Sequence, residues 1–475
     1  MKLKLFSFFM ILALALVGLS VQPAAAQAYD TAFTTSITYQ NVGLSSTTQL
    51  EVWFYDSPSD TSPTIIPRGN LAPGAGTSMF IGGLDQISQG FRGTAIMVSD
   101  QPLLATLVQL PQNSNVVKNR PLSNGFSAGT EDTLVPTVVK NAFGGAQYTI
   151  FSVQNVGPSA TNVAIKFYNT SATNVHTINQ TLQPGAGYFV DTGTVTQLGS
   201  SFNGSAVIES NGGSIISSAM ELQKYDVGAR AFEGLGSGAM KFYMPSALCN
   251  YGSAKQNTNY AIQNTSLSNS TSVTVTYYDT AGNSAGTETK SIGGGAKASF
   301  ATCAATAQDF LGSAIVESDS QPIIAMGKAS GGGLFTAYVG IGSGSSKVAL
   351  PYVRWSTDAN FWNGKQQRVN IAVQNVGDST VPAGTVVVKY IDRDGVVVGT
   401  HTITEAIDPG SKANSNATNA GLTEFGVYAN GTQFGGGVII EGPGGSELAA
   451  IARVVTWVPA LNLRAGEDYN GMDVP

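Results

Sequence analysis

The sequence predicts an all-β chain of four tandem antiparallel β-sandwich modules behind a signal peptide. Three observations carry that expectation: a phrase that recurs four times at a near-constant interval, apolar side chains that alternate with a period of two, and turn residues at regular spacing. The phrase is Gln40-Asn41, Gln154-Asn155, Gln263-Asn264 and Gln374-Asn375, with its Asn stepping by 114, 109 and 111 residues. Three further landmarks follow each copy in the same order. They are Phe54-Tyr55-Asp56, Phe167-Tyr168-Asn169, Tyr277-Tyr278-Asp279 and Tyr390-Ile391-Asp392; then Pro73-Gly74, Pro184-Gly185, Gly294-Gly295 and Pro409-Gly410; then Phe91-Arg92-Gly93, Phe202-Asn203-Gly204, Phe310-Leu311-Gly312 and Phe434-Gly435-Gly436. A period of about 112 residues is far longer than a solenoid repeat and matches a sandwich that buries its own core.

The amino terminus reads as an address. Lys2 and Lys4 precede an apolar run from Leu5 to Leu19, and Pro23-Ala24-Ala25-Ala26-Gln27-Ala28 offers small-x-small cleavage sites. That pattern is a secretory signal peptide over 1–28, too short for a transmembrane helix. The expectation is a secreted, extracellular protein at the cell surface, with no membrane insertion.

Module 1 is expected over 29–132, module 2 over 133–241, module 3 over 242–347 and module 4 over 348–455. Within them, Leu50, Val52 and Phe54, then Val163, Ile165 and Phe167, then Val273, Val275 and Tyr277, then Val386, Val388 and Tyr390 form the inward sets of one strand, with polar or outward residues between. Such alternation in Val, Ile, Thr and Tyr is the signature of a half-buried strand. Asn41-Val42-Gly43, Asp279-Thr280-Ala281-Gly282 and Asp394-Gly395 supply turn chemistry between strands. The repeated Gln-Asn pair reads as a structural corner, its amides serving backbone groups where the chain leaves a strand. Glu209, Glu317 and Glu441 share one strand position that Val98 holds in module 1, and read as solvated face residues.

A Pro-marked extended segment precedes modules 2, 3 and 4, at Leu134-Val135-Pro136, Tyr243-Met244-Pro245 and Ala349-Leu350-Pro351. No counterpart precedes module 1 in the mature chain, and Trp457-Val458-Pro459-Ala460-Leu461 repeats the pattern near the end. Two readings stand. The segment is the last strand of the preceding module, and every module is complete; or it is the first strand of the following one, and 456–475 carries a spare. A spare strand would complete module 1 of the next molecule by strand addition, giving a head-to-tail homopolymer.

Charge bounds the function. Charged residues are 11% of the 475 and the net charge is −6, with no basic cluster of the kind nucleic-acid binding leaves. The two histidines, His176 and His401, leave little material for a metal site or for acid–base chemistry near neutral pH. No catalytic signature, cofactor loop or metal-ligand spacing occurs, so the expectation is a protein that is not an enzyme and takes no cofactor. Asp392-Arg393-Asp394-Gly395 lacks the later ligands of a calcium loop and reads as a hairpin turn. Cys249 and Cys303 both fall in module 3; in an exported chain they either pair as a disulfide or stay as two buried thiols. Seven Asn-x-Ser/Thr sequons, at Asn169, Asn179, Asn203, Asn264, Asn269, Asn416 and Asn430, matter only where exported proteins are glycosylated. Trp355, Phe361 and Trp362 before module 4 either pack the junction or stack on sugar rings.

The Gln-Asn strand, the Tyr-Tyr-Asp strand, the Pro-Gly turn and the Phe-x-Gly phrase, at about 110 residues per module, resemble the tandem immunoglobulin-like repeats of secreted bacterial surface proteins. The resemblance covers about Tyr29 to Pro459 and implies a surface or matrix role. The leading expectation is a rod-like structural subunit of an extracellular fibre or matrix. The alternative is an adhesin or carbohydrate-binding array whose partner is cell-surface polysaccharide.

Overall fold

The computed structural model describes residues 31–112, 119–144, 147–223, 228–356, 366–427, 435–458 and 463–474. The expected signal peptide lies outside them. The described chain is all-β, and its strands fall into four sets that follow the sequence repeats.

The first set holds β1 (Ala32–Asn41), β2 (Leu50–Tyr55), β3 (Thr64–Pro67), β4 (Gly76–Phe80), β5 (Thr94–Ser99), β6 (Leu103–Gln112) and β7 (Leu122–Asn124). The second holds β8 (Asp132–Lys140), β9 (Gln147–Asn155), β10 (Thr161–Asn169), β11 (Asn174–Leu182), β12 (Gly187–Asp191), β13 (Phe202–Ser210), β14 (Ile215–Gln223) and β15 (Ala229–Glu233). The third holds β16 (Lys241–Cys249), β17 (Asn257–Asn264), β18 (Thr271–Asp279), β19 (Ser284–Ile292), β20 (Lys297–Ala301), the helical turn α1 (Thr302–Ala305), β21 (Phe310–Ser318), β22 (Ile323–Gly331) and β23 (Leu334–Val339). The fourth holds β24 (Lys347–Leu350), β25 (Gln366–Asn375), β26 (Val387–Ile391), β27 (Val397–Thr402), β28 (Lys412–Ser415), β29 (Gly437–Glu441), β30 (Leu448–Val458), β31 (Leu463–Asn470) and β32 (Met472–Asp473).

Module 2 shows the plan. One sheet has the order β11-β10-β13-β8 and the other β12-β9-β14-β15. Module 3 repeats it as β19-β18-β21-β16 and β20-β17-β22-β23, and module 4 as β27-β26-β29-β24-β32 and β28-β25-β30-β31. A single parallel pairing, Leu334 with Gly466, joins β23 to β31 and fuses two sheets into one of eight strands. Period-two patterning does what it should: along β18, Val273, Val275 and Tyr277 are fully buried and their neighbours are not. Four main apolar cores result, one for each set.

Register settles the place of the Pro-marked segments. β8 pairs with β13, β16 with β21 and β24 with β29, so each segment is the first strand of the module that follows it. The carboxyl-terminal copy is different, and the reading of Trp457-Val458-Pro459-Ala460-Leu461 as a spare strand is corrected. Trp457 lies near the end of β30, with Gln366 of β25 on one side and Arg464 of β31 on the other. Val458 pairs with Leu463, while Pro459, Ala460 and Leu461 lie outside the described residues. β31 and β32 are structural parts of module 4, so 456–475 is no separate tail.

Module 1 departs from the plan. Its sheets are β3-β2-β5 and β4-β1-β6-β7, and among the described residues no strand takes the place of β8, β16 or β24.

The expectation of a rod is also corrected. Module 4 packs back on module 1: the Gly436 amide donates to the Gly76 carbonyl at 3.1 Å, and Val42 and Leu104 share a cluster with Ala349, Ile391, Ile439 and Val474. The four modules close into a ring. The last strands β7, β15, β23 and β31 pack together in sequence around it, β31 returning to β7.

Candidate interaction surfaces

The repeated landmarks build two devices. The first is local. Each Asn of the Gln-Asn pair is fully buried, and its side chain ties a corner. Asn155 Nδ2 donates to the Ser159 carbonyl at 2.8 Å and the Leu182 carbonyl at 3.1 Å, while its Oδ1 accepts from the Gly157 amide at 2.9 Å. Asn41, Asn264 and Asn375 make the same three kinds of bond. Asn264 is thereby excluded as a glycan acceptor, because its amide is buried and engaged.

The second device joins modules. Gln154 Nε2 donates to the Gly185 carbonyl at 2.9 Å and to Ala95 of the preceding module at 3.3 Å. Gln374 does the same toward Gly410 at 2.9 Å and Ala314 at 3.5 Å. A hydroxyl of the preceding module meets the same turn: Thr94 Oγ1 donates to Gly185 at 2.9 Å and Ser313 Oγ to Gly410 at 2.6 Å. The second residue of the Phe-Tyr-Asp landmark lies on the turn as well. A Cβ built on Gly185, Gly295, Gly410 or Gly74 would meet Tyr55, Tyr168, Tyr278 or Ile391 respectively. These four glycines sit at φ between +70° and +82°, where a side chain is strained. The closing contact from module 4 to module 1 is the variant: Gly437 stands where the others have Thr94, Ser205 and Ser313, and Gln40 comes against its Cα. A Cβ on Gly437 would lie 2.7 Å from Gln40 Oε1, so the absence of a side chain there leaves room for the Gln40 amide.

Buried charge sits at two of these junctions. Glu221 of β14 is fully buried; it accepts from Arg230 Nε at 3.1 Å and Nη2 at 2.9 Å, and from Lys328 Nζ of module 3 at 2.9 Å. Burial alone would raise its carboxyl, but the two cations win and hold it at about 2. Lys328 also donates to Thr137 Oγ1 of β8 at 2.9 Å. Between modules 3 and 4, Arg453 grips Asp468 through two bonds of 2.8 Å and reaches Ser246 Oγ at 3.3 Å. Lys412 lies beside them, 5% exposed, and burial with Arg453 nearby pulls its amine down to about 7. A buried pair is costly to desolvate, and breaking one costs more, so these groups set how modules seat rather than add net stability.

The other candidates fall into place singly. Cys249 and Cys303 form a disulfide that ties β16 to α1. Trp355 is corrected as a sugar platform: it is 7% exposed, bridges Arg368 and Phe425 by backbone pairing, and belongs to the module 4 core. Phe361 and Trp362 lie outside the described residues. Glu209 and Glu441 are paired with Lys166 and Lys389, and Glu317 lies 3.6 Å from Lys241, so this position carries ion pairs at the surface. Asp392 Oδ1 accepts the amides of Asp394 and Val396, each at 2.9 Å, which closes the hairpin turn. His176 stacks on Phe167, and His401 bonds Ser415 at 3.0 Å. Among the described residues no three His, Cys, Asp or Glu side chains are grouped to hold a metal ion, and no helix is long and apolar enough to cross a membrane.

No known protein-family model matches the chain, and no curated protein matches it.

Proposed function

We propose that this chain is a secreted, non-enzymatic structural protein of the cell surface, of the immunoglobulin-like repeat kind, whose four modules act as one rigid building unit of an extracellular fibre or matrix. The observation that carries the reading is a junction built from the same repeat positions: Tyr55, Tyr168, Tyr278 and Ile391 lie on the glycine turn of the adjoining module at all four boundaries, and at two of them Gln154 with Thr94 and Gln374 with Ser313 add hydrogen bonds across. Residues repeated in all modules are committed to architecture, and the buried ion pairs of Glu221 and Asp468 lie at module contacts rather than in a cleft.

Fractionation of the source cells with immunogold labelling of thin sections tests the reading. Label on the surface or in surrounding matrix, with ring-like particles or fibres of them in negative stain, supports it. Label confined to the cell interior overturns it, as does hydrolytic turnover of cell-surface polysaccharide by the purified protein.

A further inference from the structure

In modules 2 to 4 the strand carrying the Phe-x-Gly landmark is paired on both sides. β13 lies between β10 and β8, β21 between β18 and β16, and β29 between β26 and β24. Its counterpart β5 pairs, among the described residues, with β2 alone. The core registers the difference. Ala206 and Ile208, Ala314 and Val316, and Val438 and Ile440 are all completely buried. The equivalent Ala95 and Met97 are only half-buried. Across the sandwich, Leu103 and Ala105 of β6 are half-buried, whereas Ile215, Ile323 and Leu448 at the first of these positions are fully buried. An apolar cleft therefore runs between the edge of β5 and β6.

The three filled sites define what such a cleft takes. β8 inserts Val135 and Val138, β16 inserts Met244 and Ala247, and β24 inserts Val348 and Leu350, all buried. In β8 and β16 a break in register falls at Pro136 and Pro245, between the two inserted side chains. The charge pattern agrees. Lys241 and Lys347, on the inserted strands, lie 3.6 and 3.7 Å from Glu317 and Glu441, and module 1 has Val98 at that position.

We propose that the open edge of β5 is a docking site for an extended strand of another polypeptide, antiparallel to β5, with two aliphatic side chains entering the cleft. Main-chain bonds along the edge supply affinity and the two side-chain positions supply selectivity, the mode by which exposed sheet edges take peptides. The occupant is a second kind of chain and not a copy of this one, because the described strands of this chain are already paired within it, β31 and β32 included.

The test uses the purified secreted protein and a fluorescent nonapeptide of residues 132–140, the strand that fills the equivalent site of module 2. A control peptide carries Val135→Asp and Val138→Asp. A second protein carries residues 132–146 fused ahead of Thr31, which fills the cleft from within. Saturable anisotropy with the nonapeptide, binding about tenfold or more weaker for the control, and loss of binding in the fused protein are expected. Hydrogen exchange reads the same event in the unfused protein: the amides of 94–99 that point away from β2 gain protection when peptide is added. The proposal is overturned by absence of saturable binding, or by equal binding to the fused protein. It is equally overturned if those amides are protected before any peptide is added, whether by a second copy or by the chain's own amino-terminal residues.

Discussion

Replacing Gly185 with Ala probes the junction between modules 1 and 2. Gly185 has φ of +82°, and an added Cβ would lie 2.1 Å from Tyr55 Cζ and 2.5 Å from its Cε2 and Oη. Tyr55 is 6% exposed and has little room to retreat. The left-handed backbone costs about 1–2 kcal/mol for a residue with a Cβ, and overpacking adds about 1–3 kcal/mol. The sum is about 2–5 kcal/mol. Gly421 separates the two terms, because it is left-handed at φ +76° and ψ +13° and nothing lies within 4 Å of its built Cβ; Gly421→Ala loses the backbone term only. Urea denaturation of the parent and the two variants reads the difference, expected at about 1–3 kcal/mol in favour of Gly421→Ala. Adding Tyr55→Ala to Gly185→Ala relieves the clash, so the pair is less destabilising than the sum of the single changes. Equal losses at Gly185 and Gly421, or strict additivity with Tyr55→Ala, would refute the placement of this ring on the turn.

Glu221→Ala leaves Arg230 and Lys328 buried without their anion and is expected to cost about 3–5 kcal/mol in chemical denaturation. Because the folded carboxyl sits at about 2, below its ordinary 4.5, its contribution is present above 4.5 and is lost as pH falls toward 2; an acid titration of stability in the variant lacks that segment. Lys412 carries the opposite sign. Its amine is held at about 7 against an ordinary 10.5, so between these values the unfolded chain binds a proton that the folded chain has released, and stability rises with pH. Lys412→Met should raise stability at pH 7 by on the order of a few kcal/mol and flatten the rise between pH 7 and 10; an unchanged slope in thermal melts would sink the assignment. Replacing Cys249 and Cys303 together by Ser opens a link between residues 54 apart, which chain entropy values at about 4 kcal/mol. A melting temperature equal to that of the disulfide-bonded parent would show that the link does not constrain the unfolded chain.

How much of this was legible follows from where each partner lies. The Asn of the repeated pair bonds backbone within five residues and on the next strand, so a local rule for amide corners reads it from sequence. The Gln beside it bonds a different module, and no local rule sees that far. A signal was nonetheless present: Tyr55, Tyr168 and Tyr278 fall on the outward side of a strand whose inward side is already apolar, and an outward aromatic repeated in three modules calls for a neighbour. Spacing misplaces Trp457-Val458-Pro459 for a related reason. The interval is the same whether the segment opens a new module or, as Trp457 and Val458 do, closes a strand of the old one, and only register distinguishes the two. Trp355 shows the same limit, since an aromatic at a junction looks alike whether it faces solvent or Phe425.

Charge is the feature on which structure changes the argument most. Sparse charge on a β protein suggests sheet edges left undefended and a chain that associates with itself. The structure gives several of the few charges a different use, placing Glu221, Arg230, Lys328, Lys412, Arg453 and Asp468 inside module contacts. Other charges guard the filled edges, where Lys241 and Lys347 face Glu317 and Glu441. Among the described residues the edge of β5 has no strand beside it, and Val98 stands at the position of the acid. Among the described residues, module 1 is the place where this sheet position has no neighbouring strand, with Val98 paired to Glu51 of β2 on its other side, and this is why strand addition is assigned to module 1 and not to the ring as a whole.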